Sequence, residues 1–294
     1  MKKAYVFPGQ GSQYKGMGAD SYRFDPVFKK RCDEANEIIG YRITDIMFAG
    51  SEEELMQTKF TQPALFLHAI ARFESLGHTP DMVAGHSLGE YTALAASGSL
   101  SFEDALKAVK TRGELMQEAG EKNPGAMAAV IGLSDEVVEE ICVSISEEGK
   151  ELVQPANYNA DGQVVISGSE NGVVQAMEKL RENGARMVKL LPVSGAFHTN
   201  LMEPANKEME EVIDQLTFNN PVAPVYSNVT AEASSDPDTL KLNLKKQMLN
   251  PVRWTQTLRQ MQKDGALHFV EVGAGNVLQG LVKRTLKKTG ISGF

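Results

Sequence analysis

A serine stands between two glycines in Gly85-His86-Ser87-Leu88-Gly89-Glu90, directly after the apolar run Met82-Val83-Ala84. A strand that turns sharply into a helix with this spacing is a nucleophile elbow, which lifts a serine Oγ off the backbone and aims it into a pocket. Glycines suit both flanks because side chains there would collide with the returning helix. Asp81 to Ala84 reads as a strand end, and Glu90 to Ser97 as helix formers with an apolar face. Acyl chemistry through a serine ester is the leading reading. The competing one, an inert glycine turn, does not need the strand before and the helix after.

A serine hydroxyl is a weak nucleophile and needs a base within hydrogen-bond reach. Five histidines are available: His68, His78, His86, His198 and His268. His86 is adjacent to Ser87 and should pack beneath the turn, because neighbours at an elbow point in different directions. His68 falls on an apolar helix face, and His78 sits in the exposed turn Gly77-His78-Thr79-Pro80. His268 opens the strand His268-Phe269-Val270-Glu271-Val272 and reads as a satisfied edge residue. An α/β-hydrolase order of Ser, acid, His would pair it with Asp236 or Asp238. Both aspartates, however, occupy Ser234-Ser235-Asp236-Pro237-Asp238, which suits helix capping better. His198, in a loop of small residues directly after a strand, is the favoured base.

The elements that must position these residues alternate as strand and helix. A first strand, Lys3 to Phe7, ends in the turn Pro8-Gly9-Gln10-Gly11-Ser12-Gln13, which lacks the Gly-Lys-Ser/Thr of a phosphate loop and the glycine spacing of a dinucleotide site. Helices are expected at 25–39, 51–56, 63–76 and 101–119, around the elbow strand and its helix. After Asn123-Pro124-Gly125 the order changes to strand 126–132, helix 135–146, strand 152–157, strand 163–167, helix 172–182 and strand 186–193. That β-α-β-β-α-β order is the ferredoxin-like unit. The chain then returns through Ser194-Gly195-Ala196-Phe197-His198 to a helix reaching Leu216. A strand at 222–227, a helix at 240–249, a strand at 268–272 and a last helix ending Lys283-Arg284-Thr285-Leu286-Lys287-Lys288 complete it. The expected fold is α/β: a hydrolase-like core with a mostly parallel sheet, residues 1–124 and 195–294, plus an inserted ferredoxin-like small domain at 125–194.

Bulk properties limit the alternatives. A net charge of −8 argues against general nucleic-acid binding, which needs a positive surface. The run Ala4-Tyr5-Val6-Phe7 is far too short for a signal-peptide core or a membrane span, so a cytoplasmic protein is expected. Cys32 and Cys142 show no ligand spacing and read as free, reduced thiols.

Taken together, Phe7-Pro8-Gly9-Gln10-Gly11-Ser12-Gln13, Gly85-His86-Ser87-Leu88-Gly89-Glu90, Arg112-Gly113 with Met116 following, Gly195-Ala196-Phe197-His198 and Asn250-Pro251-Val252 occur in one order. In this the chain resembles, over essentially its whole length, the malonyl-CoA:acyl carrier protein transacylases. These are the stand-alone acyltransferases of type II fatty-acid synthesis, similar to polyketide synthase acyltransferase domains. The resemblance implies a hydrolase-like core with a ferredoxin-like insertion, the fold read above from patterning. It implies Ser87 as nucleophile and His198 as general base, the imidazole being oriented by a backbone carbonyl near Gln247 rather than by a carboxylate. The backbone N–H groups of Leu88 and Gln10 would form the oxyanion hole. Arg112, a surface arginine on its bland reading, would hold the malonyl carboxylate bidentately. Phe197 resembles the bulky residue of malonyl-selective members and would crowd out an α-methyl.

Malonyl would pass from malonyl-CoA to Ser87 and then to the phosphopantetheine thiol of acyl carrier protein, with no metal or tightly bound cofactor required. An acidic carrier would favour a basic patch, for which Lys283, Arg284, Lys287, Lys288, Lys245 and Lys246 are candidates. Cations complementing helix ends explain those residues equally well. The rival functions are a trans-acting acyltransferase of a polyketide pathway, a serine thioesterase or esterase, and a non-catalytic scaffold that binds acyl carriers.

Overall fold

The computed structural model describes every residue except Met1, Lys150, Ser194 and Lys288. The Ser194 of the return segment and the Lys288 of the basic helix end therefore lie outside the described residues. The chain opens with β1 (Lys2–Phe7), followed by α1 (Ala19–Phe24), α2 (Pro26–Ile39), α3 (Ile43–Ala49), α4 (Glu52–Met56) and α5 (Thr58–Leu76). The elbow strand β2 (Met82–Gly85) leads to α6 (Gly89–Ala96) and α7 (Phe102–Lys122). Next come β3 (Ala126–Ile131), α8 (Asp135–Gly149), β4 (Val153–Ala160), β5 (Gln163–Gly168), α9 (Glu170–Glu182) and β6 (Met187–Leu190). The last stretch holds α10 (Glu203–Gln215), β7 (Val225–Tyr226), β8 (Ala233–Ser234), α11 (Pro237–Lys246), α12 (Trp254–Lys263), β9 (Ala266–Glu271), α13 (Val277–Thr285) and β10 (Gly290–Gly293).

These strands form two sheets. One runs β10-β9-β1-β2-β7-β8 and is parallel except at β8. The other, β4-β5-β3-β6, is antiparallel and has the ferredoxin-like order. β2 is buried along its whole length, as a central parallel strand covered on both faces must be. Apolar side chains on the two faces of the first sheet form separate clusters, one around Phe7, Phe66 and Leu106 and the other around Trp254, Phe269 and Leu281. A third cluster fills the space between the second sheet and α8 and α9.

Several boundaries differ from the patterning, each for a local reason. α5 begins at Thr58 rather than Pro63, so Pro63 lies inside the helix. Proline there removes one backbone hydrogen bond near the start of a helix that buries most of its faces. α1, α3 and α12 were not anticipated: the first two are a turn or two long, too short for a 3.6-residue period to register. His268 does not sit on an edge strand, because β10 pairs in parallel outside β9 with Gly290 opposite His268. A Cβ at Gly290 would stand 2.4 Å from His268 Nδ1, so glycine leaves the imidazole its place across that pairing. His268 Nε2 and Ser292 Oγ lie 2.9 Å apart across it. Asp236 caps α11 by accepting from Thr239 N, the role favoured for it over catalysis. Both cysteines are buried and free, and burial pushes their thiols up to about 12.

Candidate active site

Register brings the site together. β1 and β2 run in parallel with Phe7 opposite Gly85, so both strands release their chains at the same end of the sheet. The glycine-rich turn after β1 then passes against the elbow. A Cβ on Gly9 would lie 2.4 Å from His86 O, on Gly89 2.1 Å from Phe7 O, and on Gly85 1.8 Å from Gly89 O. Glycine at these three positions is a requirement of close backbone approach. Ser87 itself has φ of 51° and His198 φ of 61°. A non-glycine residue in this left-handed region is strained by about 1–3 kcal/mol and persists only where its surroundings hold it.

Those surroundings are specific. Ser87 N–H donates to Asn228 Oδ1 at 2.7 Å, and Asn228 Nδ2 donates to Gly85 O at 2.7 Å, so one amide clamps both sides of the bend. Gln247 Nε2 donates to Ser87 O at 2.9 Å. The His198 turn is fixed by Gln154 Nε2 donating to His198 O and by Thr199 Oγ1 donating to Ala196 O.

Ser87 Oγ and His198 Nε2 are 2.9 Å apart. The other ring nitrogen, Nδ1, faces two carbonyls at 3.0 Å, Gln247 O and Asn250 O. A carbonyl can only accept, so Nδ1 carries the hydrogen and Nε2 presents a lone pair to the serine hydroxyl. Burial, with the Arg112 cation next, pushes the imidazole down to about 3, against the two carbonyl hydrogen bonds. A neutral histidine of fixed tautomer therefore stands ready to accept the Ser87 proton.

Arg112 is not a surface residue; it is 1% exposed on α7. Its Nη1 donates to Gln62 Oε1 at 2.8 Å, and its Nη2 to Gln247 Oε1 at 3.0 Å and to Ser87 Oγ at 3.1 Å. Its buried Nε has no partner, and among the described residues no carboxylate lies within ion-pair distance of the guanidinium. A buried cation with neutral partners and a spare donor is a receptor for an anionic group.

A cavity of about 100 Å³ joins Ser87, His198, Arg112, Leu88, Gln10 and Phe197. The backbone N–H groups of Gln10 and Leu88 donate to no protein acceptor among the described residues. A second cavity of about 300 Å³ shares Gln10, His86, Asn157, Leu191 and Val193 with the first and reaches α13 through Val277 and Leu281. The two share these walls, a small, mostly apolar chamber at the serine beside a larger corridor between the two sheets.

The model for the acyl transferase domain family matches residues 4–293. A malonyl CoA-acyl carrier protein transacylase from Bacillus subtilis (strain 168) is 44% identical over 290 residues, 98% of this chain and 91% of the relative. The chain belongs to this transacylase family. Members with solved structures superpose closely. An acyl carrier protein S-malonyltransferase from Vibrio cholerae O1 biovar eltor str. N16961 has a TM-score of 0.95 at 42% identity, covering 100% of this chain and 97% of that one. A malonyl-transacylase in complex with a type II polyketide-synthase acyl-carrier protein has a TM-score of 0.96 at 36% identity, covering 100% and 96%.

Against the family's pattern, Ser87, His198, Arg112, Gln10, Leu88, Phe197 and Gln247 all meet in one place. The remaining histidines stay outside the chemistry. His86 Nε2 lies 2.7 Å from Asn159 Oδ1 with its ring edge against Trp254, His68 is buried against Phe28, and His78 pairs with Tyr5 OH. Sequence reading passed over Gln62, Asn228 and Gln154, and it held Glu90 and Asn250 as motif residues without a role of their own. Asn228 had a signal: it follows the strand neighbouring the elbow strand, at the end where the elbow lies. Glu90 is 3% exposed, with Gln247 Nε2 donating to its Oε2 at 2.6 Å and Asn228 N at 3.3 Å. Of the basic candidates, Lys245 pairs with Asp214, and Arg284 Nη1 donates to Gln163 at the corridor.

Proposed function

We propose that this chain transfers malonyl from coenzyme A to the phosphopantetheine thiol of acyl carrier protein, through a malonyl ester on Ser87, for fatty-acid synthesis in the cytoplasm. The observation that carries the reading is the buried Arg112 fork, whose Nη2 reaches the same Ser87 Oγ that His198 Nε2 faces. A hydrolase of simple esters has no use for a buried cation at its nucleophile; an enzyme whose acyl group ends in a carboxylate does.

In the first half-reaction Ser87 Oγ attacks the thioester carbonyl and His198 Nε2 takes its proton. The developing oxyanion is held by the N–H groups of Gln10 and Leu88. The C–S bond breaks, and the proton on Nε2 goes to the departing thiolate. In the second, the carrier's thiol gives its proton to Nε2 and attacks the serine ester, and Ser87 recovers the proton. Throughout, Nδ1–H stays on Gln247 O and Asn250 O, which stabilise the transient imidazolium as an acid partner would. Arg112 holds the malonyl carboxylate, and an acetyl group would leave that cation unpaired. Phe197, 5% exposed on the chamber wall, narrows the space beside the acyl α-carbon. The corridor suits an extended pantetheine arm, and we take the segment 125–194 as the small domain forming one wall of it.

No helix among the described residues is long and apolar enough to cross a membrane. The relatives named above carry this activity in their names. The test is CoA release from malonyl-CoA in the absence of carrier. One equivalent of CoA should appear rapidly and then stop, and added carrier should restart it. Continuous release without carrier would make the protein a thioesterase and overturn the proposal.

A further inference from the structure

Glu90 is a buried carboxylate that the reaction above does not use. Its Oε2 accepts from Gln247 Nε2 and Asn228 N, while the other end of the same Gln247 amide, Oε1, accepts from Arg112 Nη2. The Gln247 side chain thus lies between one buried anion and one buried cation, and its orientation is dictated by both. Gln247 also donates to Ser87 O and supplies the carbonyl that holds His198. No other carboxylate among the described residues compensates Arg112.

Resting on the reading of Arg112 as the malonyl carboxylate's partner, we propose that Glu90 is the exchangeable counter-ion of Arg112. Above neutral pH it is ionised in the empty enzyme and takes up a proton when the malonyl carboxylate arrives. What decides it is charge balance between two side chains that solvent barely reaches. Arg112 and Glu90 are each almost fully buried, at 1% and 3% exposure, and together they are neutral. A malonyl carboxylate adds a second anion to one cation, and an uncompensated buried charge is strongly disfavoured. Arg112 stays protonated, the malonyl carboxylate has the direct contact with it, and Glu90 is the anion held one amide further away.

The groups facing Glu90 agree with that assignment. They are Arg112 from α7, Gln247 from the turn after α11, Asn228 from the segment after β7, and Tyr91 beside it on α6. Arg112 is the only cation among them. Burial already pushes the Glu90 carboxyl up to about 7, against those two hydrogen bonds and the Arg112 charge. Neutralising Arg112 with a ligand anion removes one of the influences keeping it ionised and moves it higher.

The test is calorimetric binding of malonyl-CoA to the Ser87→Ala protein in two buffers of different ionisation enthalpy, with acetyl-CoA as the control that shares the CoA part. Malonyl-CoA should take up about one proton at pH 8 and much less at pH 6, where Glu90 is already largely protonated. Acetyl-CoA should take up none. In Ser87→Ala combined with Glu90→Gln the malonyl-specific uptake should vanish, and the wild-type Glu90 pH series carries the test if that variant does not fold. Uptake equal for malonyl-CoA and acetyl-CoA, or persisting in Glu90→Gln, would overturn the inference. Equal affinity for the two ligands would instead refute the Arg112 reading on which it stands.

Discussion

Replacing Arg112 with alanine should collapse the preference for malonyl over acetyl without a comparable loss of acetyl transfer. Arg112 reaches Ser87 Oγ, Gln62 Oε1 and Gln247 Oε1 from a position 1% exposed, so solvent screens its contact with a ligand carboxylate very little. A bidentate carboxylate forms two charge-assisted hydrogen bonds, each worth about 1.5–3 kcal/mol. Their loss is about 3–6 kcal/mol, or a fall of roughly 10²–10⁴ in kcat/KM for malonyl-CoA. Acetyl-CoA makes neither bond, and alanine removes the unpaired cation it would face. Steady-state transfer to acyl carrier protein, measured for both donors on each variant, reads the ratio directly. Because both rates come from the same preparation, a partly misfolded fraction cancels. Arg112→Lys should fall between, keeping charge but losing the fork. A malonyl/acetyl ratio within about threefold of wild type in Arg112→Ala would refute the charge-recognition argument, whose predicted loss is at least ~10²-fold.

Further outcomes follow from the same geometry. His198, pushed down to about 3, accepts a proton only above that value, so the acid limb of the CoA-release burst should lie well below the usual histidine range; a limb at about 6.5 would contradict the buried, Arg112-flanked base. Asn228→Ala removes the acceptor of Ser87 N–H and the donor to Gly85 O, leaving a strained φ of 51° unsupported. It should slow acylation by roughly 10–100-fold and cost about 1–3 kcal/mol in urea unfolding. Gly89→Ala places a Cβ 2.1 Å from Phe7 O and should yield no folded protein by circular dichroism. His68 is pushed down to about 4 by burial, so the unfolded chain binds a proton there that the folded one does not. Its contribution to stability is present above about 6.5 and is lost as pH falls toward 4, which a melting series of wild type against His68→Gln would detect.

How much of this could be read in the sequence depended on whether the cause was local. The elbow was legible because its glycines answer a steric demand within five residues, and the ferredoxin-like order because each of its elements is long enough to carry a period. His198 was reachable by eliminating the other histidines, and its carbonyl partner near Gln247 by resemblance alone. From its residues alone Arg112 left a surface role and a site role equally open, since nothing within a turn of it reveals that Gln62 and Gln247 close over it. Glu90 sat in full view inside the elbow motif, yet its role depends on an amide 157 residues away. β10 escaped because Gly290–Gly293 has almost no apolar pattern; α12 carried a legible period in Trp254, Leu258 and Met261 that went unread among its glutamines and threonines. What pairing across long separations creates, a single chain of letters shows least.

The central claim is that Ser87 carries the malonyl group between two thiols. Intact-mass measurement after exposure to malonyl-CoA tests it most directly, comparing wild type with Ser87→Ala. One malonyl adduct on wild type, removed by acyl carrier protein and absent from Ser87→Ala, is the predicted result. An adduct that persists in Ser87→Ala, or one on wild type that the carrier cannot discharge, would contradict it.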